Sequence, residues 1–182
     1  MQRYFAFLRA VNVGGHTVKM EVLRLQFEAL GFSRVDTFIA SGNVIFESNL
    51  TDTLALESKI EAGLNSGLGF SISVFLRTFN ELTAIAACQP FSAEDFARAA
   101  AFNVAFLVQP PENAWVERLN LLQNEIDQFE IIGREVYWLC RVRQSESKFS
   151  NAVLEKTLHQ PATLRQMTTI QRLIEKYKVK AD

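Results

Sequence analysis

Arg9 and Lys19 bracket a loop, Asn12-Val13-Gly14-Gly15-His16-Thr17-Val18-Lys19, that has the makings of an anion site. Gly14 and Gly15 let the backbone approach a ligand closely, and free amide groups at a helix start favour negative charge. Two cations beside such amides can neutralise a phosphate or a carboxylate. The loop is neither G-x-x-x-x-G-K-[ST] nor G-x-G-x-x-G, so it is not a Walker or a Rossmann phosphate loop. The competing reading is a tight turn whose charged residues solvate it. Ser41-Gly42-Asn43 is a second candidate, because it offers a hydroxyl and a carboxamide at a turn. It joins the first site only if its hairpin folds back near Asn12.

Other chemistry finds little support. His16 and His159 are the only histidines and stand far apart, so no metal site is expected. Cys88 and Cys140 are too few for a disulfide framework or a four-thiolate site, and both are expected to be buried and structural. G-x-S-x-G and H-E-x-x-H are absent, and Glu146, Glu155 and Glu175 have ordinary surface spacing. No catalytic residue and no cofactor are nominated. The chain carries 19 Lys and Arg against 20 Asp and Glu, a net charge of −1, which argues against a nucleic-acid partner. With 182 residues, 48% of them apolar, it is long enough for a real core. Arg9 interrupts the N-terminal apolar run too early for a signal peptide, and no run approaches ~20 apolar residues, so a cytoplasmic protein without a membrane segment is expected.

The elements that must position these residues follow from periodicity. Residues 4–10 read as a buried strand, and Met20, Leu23, Phe27 and Leu30 recur at helical spacing up to Gly31. Residues 35–39 and 43–47 read as a hairpin, and Leu56, Ile60 and Leu64 mark a helix. Phe70, Ile72, Val74 and Leu76 then alternate as a fourth strand. After a linking helix with Phe79, Leu82 and Ile85, the order repeats. A strand spans 102–108, a helix 112–126, a hairpin 129–132 and 135–143, a helix holds Leu154 and Leu158, a strand spans 162–166, and a final helix bears Ile170 and Leu173. Ala6-Phe7-Leu8 echoes Ala105-Phe106-Leu107, and Gly42 is matched with Gly133. This β-α-β-β-α-β order predicts a duplicated ferredoxin-like α+β fold, with antiparallel sheets and additional helices. The expected division is a first half at 1–77 and a second at 78–182.

The segments FLRAVNVGGHTVKMEVLRLQFEALGF and TFIASGNVIFES resemble the opening of domain of unknown function 1697, a mainly bacterial family. SKFSNAVLEKTL and PATLRQMTTIQRL are similar to its later segments, which adds Arg165 to the candidate ligand residues Arg9, Asn12, Gly14, Gly15, Lys19, Ser41 and Asn43. The resemblance implies the duplicated fold but no reaction. Ala10, Ala40 and Gln166-Met167-Thr168 depart from the family's Gly, Gln and Asn-Trp-Asn. The expected function is binding of a small phosphate- or carboxylate-bearing ligand near the first strand-loop-helix. The alternative is a nucleic-acid or protein-interaction module that uses a sheet surface.

Overall fold

The computed structural model describes residues 1–9, 11 and 18–178. Among the candidates, Asn12, Gly14 and Gly15 lie outside these residues, as do Ala10 and His16. The chain divides into two compact units, Met1–Thr83 and Ala84–Asp182. The first holds β1 (Gln2–Arg9), α1 (Met20–Ala29), β2 (Ser33–Thr37), β3 (Asn43–Ser48), α2 (Thr53–Leu68) and β4 (Ser73–Thr78). Helix α3 (Phe79–Ala87) follows, and then α4 (Ala93–Arg98). The second unit continues with β5 (Ala101–Leu107), α5 (Asn113–Asn120), β6 (Asp127–Ile132), β7 (Glu135–Cys140), α6 (Asn151–Leu158), β8 (Ala162–Gln166) and α7 (Met167–Tyr177). No described helix is long and apolar enough to cross a membrane.

Each unit holds one four-stranded antiparallel sheet, in the order β2-β3-β1-β4 and β6-β7-β5-β8. Alternation along β1 turns Tyr4, Ala6 and Leu8 toward Leu23 and Phe27 of α1 and Leu56, Ile60 and Leu64 of α2. Phe46 anchors this core, its ring 5.6 Å from Tyr4, 5.4 Å from Phe27 and 4.4 Å from Phe32. In the second unit Trp138, Phe129, Phe149 and Cys140 pack with Leu119, Leu154 and Leu158.

Edge strand β4 is sealed by side chains. The backbone N–H groups of Ile72, just before it, and of Val74 and Leu76 within it donate to Asn65 Oδ1 (2.7 Å), Glu61 Oε1 (2.8 Å) and Glu57 Oε1 (2.7 Å) of α2. The strand begins at Ser73 rather than near Phe70 because Ser73 pairs with Arg9, the last residue of β1. The expected helix over 112–126 stops at Asn120, because Asn124 Oδ1 takes the amides of Ile126 (2.8 Å) and Asp127 (3.1 Å) and turns the chain into β6. Helix α4, which the apolar pattern does not announce, is capped by Ser92, whose hydroxyl accepts from Asp95 N at 3.1 Å.

The two registers superpose the units residue by residue. Ala6 lies opposite Leu76 and Ala105 opposite Leu164, so Phe5–Arg77 corresponds to Val104–Arg165. Likewise Leu8 N donates to Gly42 O (2.8 Å) and Leu107 N to Arg134 O (2.9 Å). The true counterpart of Gly42 is therefore Arg134, one residue past the Gly133 matched by sequence.

Cys140 is buried and unpaired, whereas Cys88 is only half-buried, contrary to the expected burial of both. Burial pushes the Cys140 thiol up, keeping it protonated and unreactive. At about pH 8 a thiol reagent should label Cys88 readily and Cys140 only after denaturation. Mass spectrometry reporting equal labelling of both in the native protein would contradict this packing.

Candidate functional site

Strand β1 ends against the turn that joins β2 to β3. The bond from Leu8 N to Gly42 O fastens that turn to the end of β1. The turn, residues 38–42, is closed by Phe38 N donating to Asn43 O (3.0 Å). Asn43 Nδ2 donates to Phe38 O (3.0 Å) and to Ser41 Oγ (2.7 Å), which holds the carboxamide and the hydroxyl together. Ile39 (φ 51°) and Gly42 (φ 68°) both take left-handed backbone, and the β-branched Ile39 does so under strain.

Pairing then sets the faces. Asn43 lies opposite Phe7, and Arg9, two residues further along β1, shares that face and lies opposite Ser73 of β4. Arg9, Ser41 and Asn43 thus gather at one end of the first sheet. Asn43 is buried, Arg9 and Ser41 are half-buried. Lys19 is exposed and stands at the head of α1 in extended conformation, with no side-chain bond capping the helix. Glu21 in the first turn is bonded by Arg24 Nε (3.0 Å), which pulls its carboxyl below the usual range.

Arg165 belongs to the second unit. Its Nη1 donates to Thr163 Oγ1 and Leu164 O, both at 2.8 Å, and burial pulls its pKa down to about 10. Its counterpart Arg77 escaped the sequence reading. That side chain is fully buried, and its Nη1 donates to Leu76 O at the same 2.8 Å. The repeated Leu-Arg in FLRT and TLRQ was the available signal. Lys148 is exposed. His159 caps the end of α6 with φ 52°, and its ring lies tilted against Trp115, the centroids 4.1 Å apart. Among the described residues no cluster of His, Cys, Asp or Glu could hold a metal ion.

The sheet faces turned away from α1, α2 and α6 carry buried side chains. Phe5, Phe7 and Phe75 in the first sheet, and Val104, Phe106 and Tyr137 in the second, are at most 2% exposed. Base stacking on a ferredoxin-like sheet needs exposed rings.

The comparisons agree with this architecture. The model of a family described as Protein of unknown function (DUF1697) matches residues 1–137. The solved structure of a conserved bacterial protein from Streptococcus pneumoniae is similar, with a TM-score of 0.73 and 22% identity over 98% of this chain and 99% of that one. At that identity the likeness speaks for the fold. No curated protein matches the chain.

Proposed function

The chain belongs to the DUF1697 family of proteins of unknown function, and on that premise we propose that it binds a small phosphate- or carboxylate-bearing molecule at the β1 end of the first sheet. The observation that supports this reading is the Leu8–Gly42 bond, which brings the Ser41 and Asn43 turn to the strand end carrying Arg9. Arg9 and Lys19 supply the positive charge, and the first-turn amides of α1, uncapped by any side chain of Lys19, supply donors. Asn12, Gly14 and Gly15 are included in this proposal on residue type alone, because glycine permits close approach of a backbone to a ligand. Glu21, already bonded by Arg24, is a poor competitor for Arg9. The reading is one of binding, and no reaction is assigned.

A thermal-shift screen of inorganic phosphate, nucleotides, phosphorylated metabolites and carboxylates tests it, because a ligand that binds only the folded state raises the melting temperature. The best hit is then titrated against Arg9→Ala and Lys19→Ala. Loss of a direct charge-assisted contact should weaken binding by about 1.5–3 kcal/mol, more than tenfold. Unchanged affinity in both variants, with the fold intact, would eliminate the site.

A further inference from the structure

The turn between β2 and β3 holds one residue that folding alone does not call for. Among the described residues three non-glycine positions take a positive φ, Arg34, Ile39 and His159, and only Ile39 is β-branched. That combination is a genuine outlier, because a branched Cβ crowds its own backbone there. Glycine or asparagine would make the same turn with less strain. The core does not require isoleucine either, since the residue is 42% exposed. The strain persists because the turn is fixed on both sides. Leu8 N and Phe38 N donate to Gly42 O and Asn43 O, and Asn43 Nδ2 donates to Phe38 O and Ser41 Oγ.

The second unit supplies the comparison. Val44 lies opposite Ala6 and Val136 opposite Ala105, and these valines pair in turn with Thr37 and Ile131. Phe7 lies opposite Asn43, and Phe106 opposite Glu135. Residues 38–43 therefore correspond to residues 132–135, so the first unit's turn is two residues longer, and Ile39 falls in the added stretch. The connection that leaves the adjoining strand is longer as well, residues 10–19 between β1 and α1 against 108–112 between β5 and α5. Val108 and Glu112 stand in the places of Arg9 and Lys19. The extended turn and this pair of cations thus occur together in one unit and are both missing from its copy.

We propose that Ile39 is the apolar contact of the anion site, which selects a phosphate or carboxylate carrying a short hydrocarbon chain over the bare anion. This rests on the binding reading above and adds the second half of the ligand to it. Arg9 and Lys19 hold the charge, and Ile39 holds the chain. Hydrocarbon laid on an exposed isoleucine leaves water, which favours binding. A turn already fixed by its own hydrogen bonds loses little freedom when it is covered.

The experiment follows the backbone amide signals of Ser41 and Gly42 by ¹⁵N nuclear magnetic resonance. Two matched pairs of probes are titrated, methyl phosphate with butyl phosphate and acetate with pentanoate. Each pair shares its head group and differs by three methylenes. A fully buried methylene is worth about fourfold in affinity and one covered on a single side about twofold, so the longer member should bind about eightfold tighter wherever the head group fits. Asparagine and glycine both tolerate a positive φ, so Ile39→Asn and Ile39→Gly keep the path of the turn. Either variant should cut the preference below about twofold and leave the affinity of the short member unchanged. Leu25→Asn removes another apolar side chain, on α1 and 51% exposed, and should preserve the preference. Equal affinities within each pair, or a preference that survives both Ile39 variants, overturns the proposal and leaves the anion reading standing. No binding of any probe at up to ~10 mM, well above a millimolar dissociation constant, overturns the anion reading and this proposal with it.

Discussion

Replacing Glu57 and Glu61 together with alanine should destabilise the protein by about 3–6 kcal/mol, at about 1.5–3 kcal/mol for each hydrogen bond to a charged group. That is a large part of the ~5–15 kcal/mol that holds a typical domain folded. The two carboxylates accept the outward amides of Leu76 and Val74 at 2.7 and 2.8 Å, along the free edge of the first sheet. Their spacing works because four helical residues rise ~6 Å and two strand residues ~6.7 Å, so every turn of α2 meets alternate residues of β4. Asn65 extends the match to Ile72. Glu57 is only 4% exposed, so truncating it leaves the Leu76 amide buried without an acceptor. The double glutamine variant keeps both acceptors and should lose far less. Denaturant unfolding measures the loss, and hydrogen exchange at Val74 and Leu76 localises it. A bare edge also invites strand addition, so the alanine variant should self-associate in size-exclusion chromatography. A loss below about 1 kcal/mol would show that the edge needs no such seal.

Gly42→Ala should cost about 2–4 kcal/mol, the sum of a left-handed backbone penalty and overpacking. Its φ of 68° disfavours any side chain. An added Cβ would also sit 3.2 Å from Leu8 Cβ, 3.3 Å from Val11 Cβ and 3.4 Å from Leu8 O. Those atoms belong to, or sit next to, the backbone and cannot swing aside. Gly69→Ala is the internal comparison. Its φ of 78° is similar, but nothing lies within 4 Å of its Cβ position, so only the backbone penalty applies. Because Gly42 O accepts from Leu8 N, the variant should also loosen the turn that carries Ser41 and Asn43. Any anion found by the thermal-shift screen should then bind more weakly. Equal melting temperatures for the two variants would refute the close-packing argument.

Local periodicity was enough to read the architecture. The apolar run of β1, the alternating Ile72, Val74 and Leu76, the 3.6-residue stripe of α1 and the turn glycines Gly31 and Gly133 were legible one segment at a time, and their repeated order specified two ferredoxin-like units. The end of α5 was not legible, because Leu122 and Ile126 continue the apolar period while the Asn124 side chain diverts the backbone. Arg9, Lys19, Ser41 and Asn43 could be nominated by residue type. Only the tertiary structure placed Arg9 with Ser41 and Asn43 at one sheet end, because the Leu8–Gly42 bond joins positions 34 residues apart along the chain. The seal on β4 has the same origin: Glu57, Glu61 and Asn65 read as an ordinary polar helix stripe until a strand edge of matching pitch lies against them. Asn103 is the plainest case. Within the apolar run of β5 it looks like one polar interruption, and only the folded chain shows it buried with its carboxamide unpaired, where the other unit has Tyr4. Amphipathic period is a property of neighbouring residues and survives in the sequence. Hydrogen-bond satisfaction depends on groups brought together from distant positions, so folding decides it.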